Sequence, residues 1–396
     1  MSDTRPDDDD ARHDLFDRLR SDQPVFRDEA SRTFLLTRMA EARGWLNDAE
    51  QWKDADRAEP GALVHTFKPA DMNRPGDRNS GMGWMDEPDH SRVRGPIQQA
   101  LARRVAALEP TVREIVEAQI ASLPPGGFDA LADYALPIPI AVMGRVLGVD
   151  MADVERFRAL SEAALATFDA GADAATRQAT KSASESISDL LDETMARRRA
   201  LSGDDLISDL LAAQATGVAL SNGEIRVNCM NLLLGGNVTT ADLIATGVDL
   251  LLRHPAQLAR LRAAPKLIGP AVEEILRFEP PTNGTQRVAS RELDIGGCRL
   301  RPGQVAAVMI AAANRDPAAF PDPHSFDIGR RGTPHIAFGG GPHLCIGAAL
   351  SRLEARIAIG RVIERFPDLS LEDPDAPPRW RSHPAFHGLA SVHVRT

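Results

Sequence analysis

The stretch from His335 to Glu354, HIAFGGGPHLCIGAALSRLE, constrains this chain more than any other. One cysteine, Cys345, ends a glycine-rich loop and opens an apolar run with helical spacing. Gly339, Gly340 and Gly341 can take positive φ and turn backbone N–H groups inward, where a thiolate sulfur would accept them. A helix beginning at or just after Cys345 would add its N-terminal partial positive charge. Both effects lower a thiol pKa and keep the sulfur ionised. His343 is a polar neighbour, and Phe338 can cover the sulfur from the other side. Gly347, Ala348 and Ala349 leave the first helical turn without bulk, so a flat cofactor could lie against it.

A lone cysteine is commonly a small buried hydrophobe, and a His-x-Cys pair also occurs in zinc sites. The nearest other cysteine is Cys298, so no four-ligand zinc set forms locally. The spacing Phe338-x-x-Gly341-x-His343-x-Cys345-x-Gly347 resembles the haem-thiolate signature of the cytochrome P450 family at every signature position. The resemblance implies a mainly α fold with a small β region. It implies one domain in which haem b (Fe-protoporphyrin IX) is held between a long central helix and the Cys345 loop. Cys345 is then the axial metal ligand, with Phe338, Gly339 and Gly347 against the cofactor. In haem-thiolate proteins generally the thiolate favours cleavage of the O–O bond.

Composition narrows the setting. A formal charge of −10 argues against nucleic acid or an anionic membrane as the main partner. Aromatics are few, with a single tyrosine, Tyr134, so a core must rest on Leu, Ile, Val and Ala. Cys229, Cys298 and Cys345 are widely spaced, which suits a reducing cytoplasm rather than a disulfide framework. No apolar run approaches a membrane span, and the start, MSDTRPDDDD, is acidic where a signal peptide would be basic. The expectation is a cytoplasmic monomer with a disordered acidic tail over residues 1–11 and one domain over 12–396.

Along the chain, PVFR and RTFLLTR flank a turn-like DEAS and read as a hairpin between Pro24 and Arg38. Residues 49–88 are polar and broken by Pro60, Pro69 and Pro75, the pattern of a long binding loop or of an ordinary surface loop with buried anchors. Met72, Asn73, Met82, Trp84 and Met85 are its pocket-lining candidates. A helical pattern then opens with His90-x-x-x-Arg94, two donors on one face. In the resembled family such a pair holds a haem propionate. The helices on either side of FDAGAD, residues 168–173, read as a helical hairpin, and the resemblance makes it a lid over the substrate channel.

Ser221-x-x-Glu224 is a capping box opening a helix that runs to about His254, roughly 50 Å at 1.5 Å per residue. Its centre is Gly235-Gly236-Asn237-Val238-Thr239-Thr240. Two interior glycines cost about 1 kcal/mol each against alanine. They answer either to close approach of a flat cofactor or to tight packing against another helix. Thr239 can bond back to the Gly235 carbonyl and open the helix. The segment resembles the family's central helix, where Gly235, Gly236, Asn237, Thr239 and Thr240 would line the oxygen site. It departs from the family at one place: Val238 stands where most members carry an acid that serves proton delivery. Thr239 with ordered water, or Asn237, could substitute.

Further on, Glu274-x-x-Arg277 resembles the family's buried ion pair, braced by a meander at about Pro321 to Arg330. Pro280 and Pro281 end that helix, and Thr282, Asn283 and Gly284 should enter the pocket, as should Phe386 near the C-terminus. Asn231 and Gly235 complete the substrate-side candidates. Arg287 and His335 are further propionate partners by resemblance.

The implied activity is that of a monooxygenase inserting one atom of O2 into a small apolar organic substrate. Electrons would come from a ferredoxin and its NAD(P)H-dependent reductase, since the chain carries no flavin or iron–sulfur pattern. Arg92, Arg103 and Arg104 are candidates for the ferredoxin face. Gly-Asn-Val-Thr also resembles the family's nitric oxide reductases, which take electrons from NADH. A non-catalytic haem-binding sensor is the third reading.

Overall fold

The computed structural model describes residues 9–67, 81–149, 159–160, 163, 173–332, 334–383 and 385–396. Expectations for Met72, Asn73, the segment 1–8 and most of the lid hairpin lie outside these residues. In chain order the helices are α1 (Asp9–Asp22), α2 (Met39–Asn47), α3 (Asp89–Ala107), α4 (Glu109–Ala121), α5 (Pro137–Leu147) and α6 (Ala174–Ala200). There follow α7 (Leu206–Ala215), α8 (Asn222–Arg253), α9 (Pro255–Ala263), α10 (Ile268–Phe278), α11 (Ile310–Asn314) and α12 (Ala348–Arg365). Contacts divide the chain into two compact units.

The first unit comprises Met1–Lys68, Ala245–Cys345 and Asp368–Arg395. It holds a sheet in the order β1 (Val25–Asp28), β2 (Thr33–Leu36), β7 (Val305–Met309), β4 (Gly284–Val288). The expected hairpin is present, with Val25 opposite Leu36 and Asp28 opposite Thr33. β2 pairs parallel with β7, and β4 pairs antiparallel with it. Gly284 is required at the edge of this pairing: a Cβ there would lie 2.7 Å from the Val308 carbonyl oxygen. Phe34, Leu36, Trp45, Leu46, Val308 and Phe320 belong to one buried cluster that joins the sheet to α2. Trp45 donates its indole N–H to the Ala306 carbonyl at 3.0 Å, so the largest side chain in the cluster leaves no buried donor unpaired.

α1 begins at Asp9, inside the stretch read as a disordered tail. Asp9 and Asp10 thus stand at a helix N-terminus, where negative charge is favourable.

The second unit comprises Pro69–Ile244 and Ile346–Pro367. Its core packs α4 against α5 and α12, and α7 against α3 and α6. Tyr134 is fully buried and donates its hydroxyl to the Ala358 carbonyl of α12 at 2.7 Å. Gly148 ends α5 in the left-handed conformation, φ 77°, the stop expected from Leu147-Gly148-Val149. The stretch Ala130–Leu147 corrects the reading that no run approaches a membrane span: its 18 residues have mean hydropathy 1.4. It is 67% buried within the protein, which is what an apolar core helix requires.

Candidate active site

The cysteine loop is cast against α2. Gly339 and Gly341 have φ of +73° and +63°, the left-handed region expected for them. Gly340 does not; its φ is −174°, extended backbone that any residue adopts. Its constraint is space, because a Cβ would meet the Leu46 side chain at 3.2 Å. Gly341 is constrained twice: a Cβ there would fall 2.1 Å from the Leu46 carbonyl oxygen. The loop closes on itself as Cys345 N–H donates to the Phe338 carbonyl at 2.9 Å and Gly339 N–H donates to Ile336 at 2.8 Å. Cys345 itself is exposed. α12 begins at Ala348 with Gly347 as its N-cap, so Cys345 precedes the helix by three residues rather than opening it. The other cysteines carry no site. Cys229 is buried, which pushes its thiol up to about 12, and Cys298 donates to the Val25 carbonyl at 3.3 Å. Among the described residues no group of three or more His, Cys, Asp or Glu could hold a metal ion.

Behind the loop in the same unit stands the Glu274–Arg277 pair. Arg277 donates Nε and Nη2 to the two carboxylate oxygens, both at 2.8 Å, and each side chain is 2% exposed. The meander expected to brace it does so. Arg277 also reaches the Pro323 and Ser325 carbonyls at 2.9 and 3.2 Å, while Glu274 accepts from Asp327 N–H and Arg330 Nε at 2.9 and 3.1 Å. Arg287 is buried on β4 and extends Nη2 to 3.5 Å from the Gly340 carbonyl, which brings it to the loop. His335 sits differently from its expected role. Its Nδ1 accepts the Ala337 N–H at 3.1 Å, which leaves the proton on Nε2 to bond Glu273 at 3.1 Å. Thr282 bridges Phe386, and Asn283 N–H donates to the Ala385 carbonyl at 3.0 Å, so these three pocket candidates are zipped together.

In the second unit His90 is buried on α3, with Nδ1 3.2 Å from Glu87 Oε1. Arg94, half-buried one turn on, donates Nε to Gln98 at 2.9 Å. Arg92 does not present a free cation for docking: it binds Glu224 and Asp89 at 2.6 and 2.8 Å. Arg104 is likewise held by Asp209 at 2.9 Å and by Asp204, leaving only Arg103 exposed. The capping box on α8 forms as read, with Glu224 N–H donating to Ser221 Oγ at 3.1 Å.

The oxygen-site candidates on α8 fall on two faces. Gly235 and Thr239 share the more open one, where Thr239 Oγ1 donates to the Gly235 carbonyl at 2.7 Å without interrupting the helix. Asn237 and Thr240 are buried, and Thr240 Oγ1 bonds Ser351 Oγ of α12 at 3.1 Å. Neither polar atom of the Asn237 amide has a hydrogen-bond partner. A Cβ on Gly236 would meet the Met143 side chain at an ordinary 3.7 Å, whereas one on Gly235 would meet nothing within 4 Å among the described residues. The Met82–Trp84 turn is docked on the same helix: Asn228 Oδ1 accepts the Met82 N–H at 2.8 Å, and the Asn231 amide occupies the space beside Gly81.

The sequence profile described as Cytochrome P450 matches residues 160–384. Cytochrome P450 107B1 of Saccharopolyspora erythraea is 36% identical over 393 residues, covering 97% of this chain and 95% of that protein. The chain belongs to the cytochrome P450 family. The 6-deoxyerythronolide B hydroxylase of the same organism is also 36% identical, over 91% of this chain and 90% of its own. The ligand-free structure of cytochrome P450 TbtJ1 superimposes with a TM-score of 0.89 at 30% identity, covering all of both chains. The fold is therefore the P450 fold, the activity that of a P450 monooxygenase, and the cofactor haem b.

The residues present fit that cofactor. The exposed Cys345 thiol offers a soft ligand at a loop held open by two left-handed glycines. Among the described residues a Cβ on Gly235 would meet nothing, so that face of α8 has room beside it. One element of this P450 escaped the sequence reading: a buried cluster on Glu279. Its carboxylate accepts from His13 and His387 at 3.0 Å each and from Arg315. Burial alone would raise this carboxyl, but Arg315 and the two histidines hold it well below the usual range. Burial conversely pushes His387 down to about 4 and lowers His13.

Proposed function

We propose that this P450 hydroxylates, or otherwise inserts one oxygen atom from O2 into, a largely apolar organic molecule carrying few polar groups. Ferredoxin and an NAD(P)H-dependent reductase supply its electrons, and it works as a cytoplasmic monomer whose described units form one functional domain. The observation that carries the reading is the Cys345 loop: an exposed thiol, positive-φ glycines on either side of Gly340, and Arg287 behind it. When bound, haem b supplies the redox chemistry that cleaves O2. Cys345 Sγ would ligate its iron, and by the family resemblance His90, Arg94 and Arg287 would hold its propionates. His335 orders the loop from Glu273 rather than binding a propionate, since both its ring nitrogens are engaged.

Thr239 Oγ1 commits its proton to the Gly235 carbonyl, which leaves its lone pairs to accept a hydrogen bond from water. Its role is to orient that water, so that the proton to be delivered is held at Thr239 Oγ1. Val238 offers no acid beside it, so water bonded to Thr239 takes that place, while the Asn237 amide lies on the other, buried face of α8. Met82, Trp84 and Asn231 in one unit, and Thr282, Asn283, Gly284 and Phe386 in the other, are the substrate-contact candidates. A largely carbon-skeleton substrate is supported by two relatives: one is named as a 6-deoxyerythronolide B hydroxylase, and a structural neighbour at 33% identity is in complex with myristic acid.

The test is a titration of the ferric protein with macrolide aglycones, fatty acids, steroids and terpenoids, followed by absorbance for conversion from low to high spin. A saturating shift with one class, and an oxygenated product on adding ferredoxin and reductase, is the expected result. No shift from any class, together with NADH oxidation by nitric oxide without partner proteins, would overturn it in favour of a nitric oxide reductase.

A further inference from the structure

Arg12 is one of the first described side chains, yet its partners lie at the far end of the sequence. Its guanidinium is 16% exposed and has two arms. Nη2 donates to Asn283 Oδ1 at 3.1 Å. Nη1 lies 3.4 Å from Glu279 Oε2 and 2.9 Å from His387 Nε2. His387 Nε2 is also 3.0 Å from Glu279 Oε2, and a ring nitrogen that carries a proton has no lone pair left. Because Glu279 is ionised, the proton on His387 Nε2 points at the carboxylate. Arg12 Nη1 therefore donates to the carboxylate as well, and its only neutral acceptor is Asn283.

Asn283 is the joint through which this reaches the pocket candidates. Its Nδ2 donates to the His383 and Phe386 carbonyls at 3.3 and 3.2 Å, its backbone N–H to Ala385, and its carbonyl accepts from Ile310 N–H at 3.1 Å. With Nδ2 spent on the C-terminal segment, Oδ1 must find a donor, and Arg12 is that donor. On the other side His387 N–H bonds the Pro281 carbonyl at 2.8 Å, and the His387 ring stacks on Trp380 at 3.8 Å. The side chain at the start of the chain thus closes the amide that joins residues 281–284 to residues 383–387.

We propose that Arg12 is a positioning residue for substrate selection: by fixing the Asn283 carboxamide it sets where Thr282 and Phe386 stand, so helix α1 belongs to the specificity apparatus. The proposal rests on the reading above that Asn283 and Phe386 are substrate contacts. Arg12→Ala should fold, because Glu279 keeps Arg315, His13 and His387 as partners. Arg12→Lys can serve one acceptor but not both.

The experiment compares wild type, Arg12→Ala and Arg12→Lys as holoproteins. Amide hydrogen exchange at Asn283 and His387 reads the clamp itself. The ratio of affinities for 4-phenylimidazole and imidazole, from ferric absorbance titrations, reads selectivity, since both bind the iron but only the first carries a ring into the pocket. Arg12→Ala should speed exchange at both amides about tenfold or more, the loss expected for a hydrogen bond to a charged group. It should also shift the affinity ratio by about threefold or more, a difference of about 0.7 kcal/mol at threefold, with Arg12→Lys intermediate. Unchanged exchange would overturn the clamp, whatever the ratio does. Faster exchange with an unchanged ratio would refute the role in selection and show that Asn283 and Phe386 do not line the pocket. Equal weakening of both ligands would reduce Arg12 to a general structural contact and equally overturn the proposal.

Discussion

Replacing Glu274 by Gln probes the most deeply buried ion pair in the molecule. Five hydrogen bonds converge on this carboxylate: two from Arg277, two from Arg330 Nε and one from the Asp327 N–H. A glutamine keeps the shape but presents an NH2 group where one oxygen faced guanidinium donors. Breaking one partner of a buried pair costs about 3–5 kcal/mol, because the remaining charge stays desolvated. With a carbonyl acceptor retained, the lower end, about 3 kcal/mol, is expected here. At an m value of about 3 kcal/mol/M this moves a urea midpoint by about 1 M. The matched control is Arg113→Ala at the exposed Glu109–Arg113 pair, whose partners are 2.7 Å apart and each 53% exposed. Such a pair contributes about 0.5 kcal/mol or less. If Glu274→Gln shifts the midpoint no more than Arg113→Ala does, the account of a buried, cooperative network is wrong. Glu274→Met combined with Arg277→Met would still strand the Arg330 guanidinium, so it should not recover the loss unless Arg330 is replaced as well.

Cys345→Ser should abolish the thiolate-type absorption of the ferrous carbonyl complex, and survival of that band would remove Cys345 as the ligand. Thr239→Ala should divert reducing equivalents to hydrogen peroxide, measured as peroxide released per NAD(P)H consumed; unchanged coupling would take Thr239 out of proton delivery. The Glu279 cluster should make the fold acid-sensitive. His387 titrates near 4 when folded and near 6.5 when not, so the unfolded chain alone takes up its proton as pH falls through that window. Stability is then lost progressively, by about 3 kcal/mol from this group, at about 1.4 kcal/mol per pKa unit. Urea midpoints measured from pH 7 to 4 should fall in wild type and flatten in His387→Gln, and equal slopes in the two would contradict the assignment. Glu354 acts in the opposite sense. Burial alone holds its carboxyl well above the usual range, so its contribution falls as pH rises above 4.5. Glu354→Gln should gain relative to wild type as pH is raised from 4.5 to 7; a constant difference across that range would mean that Glu354 is ionised in the folded chain.

What the sequence disclosed was whatever its neighbours along the chain determine. The capping box Ser221–Glu224, the stop at Gly148, the pair Glu274–Arg277 and the left-handed Gly339 and Gly341 all depend on residues within a turn or two. Gly340 was misread for the same reason: its constraint comes from Leu46, not from the loop. Arg92 and Arg104 looked like free surface cations because their acidic partners, Glu224 and Asp209, are more than a hundred residues away. The Glu279 cluster was invisible, since it gathers Arg12, His13, Arg315 and His387 from four separate segments, none with a local pattern. Asn237 and Thr240 read as one group with Thr239, and the helical turn of about 100° per residue separated them.

The fit of Gly341 over the Leu46 carbonyl carries a consequence for biosynthesis. The loop that bears Cys345 has no template of its own; its mould is α2, made early in translation and held waiting while most of the chain emerges. Until Gly341 has itself left the ribosome, α2 stands with nothing packed over the Leu46 carbonyl. Contacts so distant in sequence are closed late, after local helices have formed. Haem loading should accordingly be a step of the finished chain, and nascent chains arrested before Gly341 should bind haem no better than an unfolded polypeptide.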